Sequence, residues 1–156
     1  MDPQKRLQAR QSQDIGQRWQ TEFHQRCRLL AQAGRMVILD MSESVRKVRP
    51  IAGGLFACAL KKGPTDFMFL ASGIPFLCDA KATTEPAWAI TDSTLEPHQR
   101  VLLDDWEHQH GRSYIALQTS GGSFMVPWNI LRGLRKYEPN NEAVSMSGDW
   151  LEEITR

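Results

Sequence analysis

The sequence predicts a single α/β domain in which helices flank a central mixed β-sheet. Its 156 residues suffice for one domain with a substantial core. Apolar segments of strand length alternate with longer segments of helical periodicity, in the order helix, three or four strands, helix, two strands, helix. The 41% hydrophobic and 24% charged content is ordinary for a soluble globular chain. A membrane protein or a disordered protein is therefore not expected.

The domain division follows composition. Residues 1–13 are polar, Gln-rich and basic, which predicts a flexible or loosely helical arm. Residues 14–138 form the folded domain, with a basic protruding loop or hairpin at about 41–50. Residues 139–156 are a tail or a short packing helix around Trp150, Leu151 and Ile154. The absence of a membrane-length apolar run and of a signal-peptide core predicts a cytoplasmic protein.

The first helix is predicted from Asp14, as its N-cap, to Ala33, with Gly34 ending it. Its apolar residues share one stripe: Ile15, Trp19, Phe23, Cys27 and Leu30. Glu22 lies at the border of that stripe and Arg26 near its centre. A carboxylate on the buried side of a helix needs a partner or a metal ion. The alternative is an ordinary Glu22–Arg26 ion pair at i,i+4.

Two apolar segments then predict strands, a buried one at 35–40 and a second at 54–60. The basic segment between them suits a protrusion better than a core. The three cysteines have no metal-ligand spacing and apolar neighbours, so they are expected to be reduced core residues and not a zinc site. They are Cys27, Cys58 and Cys78.

The segment 65–81 contains the main chemical signal. Ser72-Gly73 suits a two-residue hairpin turn between two strands. If Ala71 pairs with Ile74, the register places Asp66 opposite Asp79. Side chains in that relation have Cβ atoms roughly 4.5–5.5 Å apart, and like charges there destabilise the pair.

A cation between the two carboxylates would remove that repulsion, and Mg²⁺ prefers oxygen ligands. Strand alternation places Lys81 on the same face as Asp79. The alternative is an edge hairpin whose two Asp face water. The apolar residues on both faces of the hairpin favour an interior position, where a carboxylate needs a partner.

The second half of the chain predicts a helix at 95–110, ended by Gly111. A hairpin follows, with strands at 113–118 and 123–126 across Ser120-Gly121-Gly122. Pro127 then starts a short helix at 128–136.

Asp66, followed by Asp79-Ala80-Lys81 on the next strand, resembles the PD-(D/E)xK nuclease superfamily. The spacing of Gly16, Phe23, Gly34 and Val37-Ile38 is similar to that of the first helix and strand of RecU-type Holliday junction resolvases. Further segments carry the same likeness: His98-Gln99, Tyr114-Ile115-Ala116-Leu117 and Val126-Pro127-Trp128. In this resemblance, Asp79 stands where the family often has Glu, and Gln20 stands where a Glu might be expected. The basic protrusion is shorter than the family's stalk.

The resemblance implies a Mg²⁺- or Mn²⁺-dependent endonuclease that resolves four-way DNA junctions as a homodimer, in a bacterium or a phage-infected cell. Asp66, Asp79 and the Ala80 carbonyl would bind the ion. Lys81 would assist attack of water on the phosphate, and Gln99 would orient the water or the phosphate. The helix-1 role is assigned to Glu22, with Gln20 as the alternative.

Charge also indicates a polyanion partner, since residues 1–50 contain ten Lys/Arg against five Asp/Glu. The residues expected to contact DNA phosphates are Lys5, Arg6, Arg10, Arg26, Arg46, Lys47, Arg49, Lys61 and Lys62. Two other functions compete with junction resolution. One is a nuclease of the same fold that acts on flaps, ends or unspecific duplex, and the other is a non-catalytic DNA-binding recombination factor.

Overall fold

The computed structural model describes residues 3–41, 43–50, 56–62 and 65–156. The helices are α1 (Pro3–Gln32), α2 (Pro97–His108), α3 (Trp128–Leu131) and α4 (Trp150–Thr155). The strands are β1 (Val37–Asp40), β2 (Glu43–Pro50), β3 (Phe56–Lys62), β4 (Phe67–Ala71), β5 (Ile74–Ala82), β6 (Trp88–Ala89), β7 (Arg112–Thr119), β8 (Gly122–Pro127), β9 (Lys136–Tyr137) and β10 (Val144–Ser145).

A six-stranded sheet forms the centre of the fold, in the order β1-β4-β5-β7-β8-β10. The neighbours β5 and β7 are parallel, and the other pairs are antiparallel. The crossover between β5 and β7 contains α2, as a parallel connection requires. The predicted mixed sheet with flanking helices is therefore confirmed.

Helices cover both faces of this sheet. On one face, Trp19 and Phe23 of α1 are fully buried in one cluster with Phe67 and Phe76 of the hairpin. On the other face, Leu103 of α2 is buried in a second cluster with the alternate strand residues. The alternation of apolar side chains along β5 and β7 thus serves two cores, which is why these strands are apolar on both faces.

The central hairpin has the predicted register. Ala71 pairs with Ile74, and Met68 pairs with Leu77. The turn residues Ser72 and Gly73 have φ of 51° and 76°. Positive φ at both central positions is what a type I′ hairpin turn requires, and this turn matches the twist of the strands.

Two predictions about the first part of the chain are wrong: the start of the first helix and the burial of the first strand. The helix α1 begins at Pro3, so Asp14 lies within it and is not its cap, and residues 3–13 of the predicted arm belong to the helix. The strand β1 is at the edge of the sheet, where Val37 is 61% and Leu39 is 52% exposed. The prediction of a buried strand there failed because apolar composition alone does not distinguish an edge strand from a central one.

The basic segment does form a hairpin outside the central sheet. The strands β2 and β3 pair with each other in a separate two-stranded sheet. The side chains of this hairpin, Cys58 among them, lie outside the described residues.

The end of the chain differs in detail from the prediction. The helix α3 stops at Leu131, and Lys136–Tyr137 forms the strand β9, which pairs with β6. The helix α4 packs Trp150 into the core beside α1. Of the two predicted possibilities for the last segment, Trp150–Thr155 therefore forms the packing helix.

Cys27 and Cys78 are buried free thiols, as predicted. Burial raises the pKa of the Cys27 thiol to about 12. Both are therefore protonated core residues near neutral pH.

None of the described helices combines the length and the apolar character that a bilayer span requires.

Candidate active site

The centre of the site is on β5, the strand between β4 and its parallel neighbour β7. Asp79 is completely buried. The Lys81 ammonium, on the same face, lies 2.7 Å from Asp79 Oδ2 and is 19% exposed. A buried carboxylate with an ammonium two residues further along the strand is the arrangement that alternation predicted.

Asp66, the residue directly before β4, joins this pair. That strand begins at Phe67, which pairs with Cys78, so the Ala80 N–H lies beyond the end of the ladder. It donates instead to Asp66 Oδ2, at 2.9 Å. The N-terminal end of β4 therefore holds the Asp66 carboxylate against the backbone of β5.

The two carboxylates interact strongly. Burial, the like charge of Asp79 and a hydrogen bond with Asp79 raise the pKa of Asp66 to about 8. The Ala80 N–H and Lys81 oppose this rise only in part. The hairpin register, with Phe67 opposite Cys78, brings Asp66 beside Asp79 as predicted, and burial and the charge of Asp79 disfavour ionisation of Asp66.

Gln99 ties α2 to the site. It is the third residue of α2, only 4% exposed, and its Nε2 donates to Asp79 Oδ1 at 3.0 Å. Its Oε1 accepts from the Lys81 ammonium at 3.3 Å and from the Glu96 N–H at 3.1 Å. One side chain thus completes the capping box of α2 and holds both members of the Asp79–Lys81 pair.

The contribution of α1 comes from Gln20. Trp19 Nε1 donates to the Ala116 carbonyl at 2.7 Å, which anchors α1 on the sheet. The next residue, Gln20, donates from Nε2 to Asp66 Oδ1 at 2.9 Å. The alternative position considered from the sequence is thus the one that reaches the carboxylates.

Glu22 does not reach them, and its prediction as an inward-facing site residue is wrong. Its carboxylate is 2.6 Å from Arg26 and its side chain is 42% exposed. This is the i,i+4 ion pair that the sequence left open. Arg26 also lies over the Trp19 ring, at 5.7 Å from its centroid, so its position is set by contacts within the chain.

The donor set suits a hard divalent cation. Asp79 Oδ2 is buried, and the Lys81 ammonium 2.7 Å away is the cation that compensates its charge. Because the N–H and C=O of one strand residue point to the same side, the Ala80 carbonyl lies on the side of β5 that faces β4. Two carboxylates and a main-chain carbonyl are the oxygen ligands that Mg²⁺ or Mn²⁺ prefers.

A larger acidic cluster is absent from the part of the chain that the structure describes. No three His, Cys, Asp or Glu side chains there converge to hold a metal ion. The site residues are thus two carboxylates, two amides and one ammonium.

The predicted DNA-contact residues are only partly described. Arg10 is exposed on α1. Arg26 is engaged by Glu22. The side chains of the others lie outside the described residues: Lys5, Arg6, Arg46, Lys47, Arg49, Lys61 and Lys62.

Comparison with known proteins gives a match in structure only. No family model matches the chain, and a search of curated proteins finds no match. Among solved structures, the fold matches Hjc, a Holliday junction resolvase from the archaeal hyperthermophile Archaeoglobus fulgidus. The TM-score is 0.50 at 13% sequence identity, over 81% of this chain and 96% of Hjc. The match shows a shared fold.

Proposed function

We propose that this chain is a divalent-metal-dependent endonuclease that cuts four-way DNA junctions. The observation that carries the proposal is the convergence of Asp66, Asp79 and Lys81 at the end of the β4–β5 hairpin. This constellation occurs in a fold shared with a Holliday junction resolvase. A protein that only binds DNA gains nothing from burying two facing carboxylates, since burial and the neighbouring charge of Asp79 raise the pKa of Asp66 to about 8.

Asp66, Asp79 and the Ala80 carbonyl would hold Mg²⁺ or Mn²⁺ here. When bound, such an ion supplies positive charge to the phosphate oxygens and makes a water molecule more acidic. Its charge also compensates the two carboxylates, which this chain otherwise balances with a single ammonium.

Lys81 and Gln99 supply the remaining chemistry from the protein. The Lys81 ammonium is partly exposed and can donate to a phosphate oxygen as negative charge develops there. Gln99 holds Lys81 and Asp79 at fixed separation through its two amide atoms. The proposed role of Gln99 is therefore to orient these two groups, which then orient the water and the phosphate.

DNA would contact the surface through the basic hairpin β2–β3, whose strands form their own small sheet. Phosphate contacts by lysine and arginine position DNA without reading its bases, and they weaken steeply with salt. Symmetric cutting of a four-way junction needs two active sites, so we propose a homodimer with two-fold symmetry.

The test is cleavage of three synthetic substrates of shared sequence: a four-way junction, a flap and a linear duplex. Each is incubated with purified protein in Mg²⁺, in Mn²⁺ and in a chelator. The expected result is paired nicking of the junction in either metal, none in the chelator, and slower cutting of the other two substrates.

A catalytically impaired variant and a matched control make this assay specific. Asp66→Asn should abolish cleavage, whereas Asp105→Asn, the same change at an exposed position of α2, should leave it intact. Preferential cutting of flaps or duplex would instead favour the nuclease alternative of the same fold. Junction binding without cleavage under any metal condition would overturn the enzymatic proposal.

A further inference from the structure

Two glutamine amides approach the carboxylate pair from opposite faces of the sheet. Gln99 comes from α2 and donates to Asp79 Oδ1 at 3.0 Å. Gln20 comes from α1 and donates to Asp66 Oδ1 at 2.9 Å. Each carboxylate thus receives one N–H from a glutamine side chain, although the two helices lie on opposite faces of the sheet.

We propose that Gln20 is a positioning residue that aims the Asp66 carboxylate and, being uncharged, limits the site to one divalent cation per chain. This inference rests on the proposed metal-dependent function. The inference specifies how many ions the site binds and assigns that number to Gln20.

The positioning argument starts from the two hydrogen bonds to Asp66. The Ala80 N–H donates to Oδ2 and the Gln20 amide donates to Oδ1, so both oxygens have a fixed donor. A carboxylate oxygen has two acceptor sites, so each oxygen keeps one for a cation. Without Gln20, the carboxylate would be held at one oxygen only and could rotate away from Asp79.

The charge argument concerns the number of ions. With both carboxylates ionised, Asp66, Asp79 and Lys81 carry a net charge of −1. This charge of −1 and the single negative charge of a DNA phosphate together neutralise one divalent cation. Two-ion sites hold their cations about 3.5–4 Å apart. Such a pair needs further carboxylates, and no third acidic ligand converges with these two among the described residues.

The side chain at position 20 is where a third carboxylate would enter. Glutamate has the same length as glutamine, but its ionised carboxylate cannot donate a hydrogen bond. Gln20→Glu therefore replaces the hydrogen bond to Asp66 with a like-charge contact and raises the negative charge of the site. Both effects favour cation binding, by relief of repulsion and by an additional ligand.

The experiment is a Mn²⁺ titration of the full chain without DNA, followed by electron paramagnetic resonance of free Mn²⁺. Wild type should bind one ion per chain. Gln20→Ala should bind one ion about ten-fold more weakly, as is usual when a residue that orients a ligand is removed. Gln20→Glu should bind Mn²⁺ about ten-fold more tightly, or bind a second ion. The control Gln25→Glu, at an exposed position of α1, should match wild type.

A thermal melt with chelator and with Mn²⁺ accompanies the titration and reports folding. Gln20→Glu should melt below wild type in chelator and gain more from Mn²⁺ than wild type does. Two ions per wild-type chain would overturn the inference, as would one ion with equal affinity in wild type and both Gln20 variants. A folded wild type that binds no Mn²⁺ would overturn the metal-dependent function itself, and the two failures are thus distinguishable.

Discussion

Replacing Asp79 with asparagine tests the centre of the site, because it removes one charge and almost no volume. Asp79 is fully buried, with the Lys81 ammonium 2.7 Å from Oδ2 and the Gln99 amide 3.0 Å from Oδ1. Asparagine can retain the Gln99 hydrogen bond through its own Oδ1. The main loss is the partner charge of Lys81, together with an ionic ligand for the proposed cation.

The expected loss of stability in Asp79→Asn follows from the buried environment of Asp79. Removing one partner of a buried ion pair costs about 3–5 kcal/mol in the free energy of unfolding. Lys81 is 19% exposed and keeps Gln99 as an acceptor, and the change also relieves the repulsion between Asp79 and Asp66. We therefore expect a loss of about 2–3 kcal/mol, which for a domain of this size lowers the melting temperature by about 5–10 °C.

The expected loss of cleavage activity in Asp79→Asn is larger than its loss of stability. Loss of a charged ion ligand should reduce junction cleavage in Mg²⁺ by at least about 100-fold, the upper end of the loss seen when only a supporting residue is removed. Binding of the junction in chelator should be unchanged or tighter, since a negative charge near phosphate is removed. Cleavage and gel-shift assays at a temperature well below the melting point measure the two quantities separately. Full cleavage by Asp79→Asn would refute the assignment of the site.

Three further predictions concern other parts of the chain. Gly111→Ala should lower the melting temperature, because an added Cβ would lie 2.3 Å from Trp106 Nε1 and such overpacking costs about 1–3 kcal/mol. Glu22→Gln should leave junction cleavage within about two-fold of wild type, because Glu22 pairs with Arg26 and not with the site. As the pH rises from 3.8 to about 8, the metal-free chain should lose stability. The pKa of Asp66 is about 8 in the folded state, so the folded state binds this proton more tightly than the unfolded state does. Denaturant unfolding in chelator at a series of pH values measures the effect.

Matched measurements decide each of these. Gly148→Ala, where an added Cβ has open space, is the control for Gly111→Ala, and equal melting temperatures for the two variants would contradict the overpacking. Loss of cleavage in Glu22→Gln would return the helix-1 role to Glu22. For the pH series, Asp66→Asn should remove most of the slope, and a slope unchanged by that substitution would assign it to other groups.

The central hairpin was predictable because its geometry is local. A two-residue turn with positive φ at Ser72 and Gly73 sets the register of both strands, and register sets which side chains face each other. Asp66, Asp79 and Lys81 could therefore be placed from sequence spacing alone. The contact of Gln99 with this group was indicated only by the family resemblance, since 20 residues and a turn separate it from Asp79.

The edge position of β1 depends on long-range packing and was not predictable in the same way. Val37 and Leu39 are as apolar as core strand residues, yet they remain exposed because no element among the described residues covers their face at the edge of the sheet. The early start of α1 has a related cause. Residues 3–13 have few apolar side chains, and good helix formers such as Gln, Lys, Arg and Ala extend a helix that is already anchored further along.

The helix-1 residue shows how a small rotation decides a functional assignment. At about 100° per residue, the fully buried residues Trp19, Phe23 and Cys27 define the direction of the core. Gln20 then lies about 60° from that direction and Glu22 about 100°, on opposite sides. Counting the half-buried Ile15 as core moved the predicted stripe toward Glu22 and away from Gln20. A side chain as long as glutamine reaches Asp66 at the start of β4 from 60°, whereas a glutamate at 100° pairs with Arg26 along the helix surface.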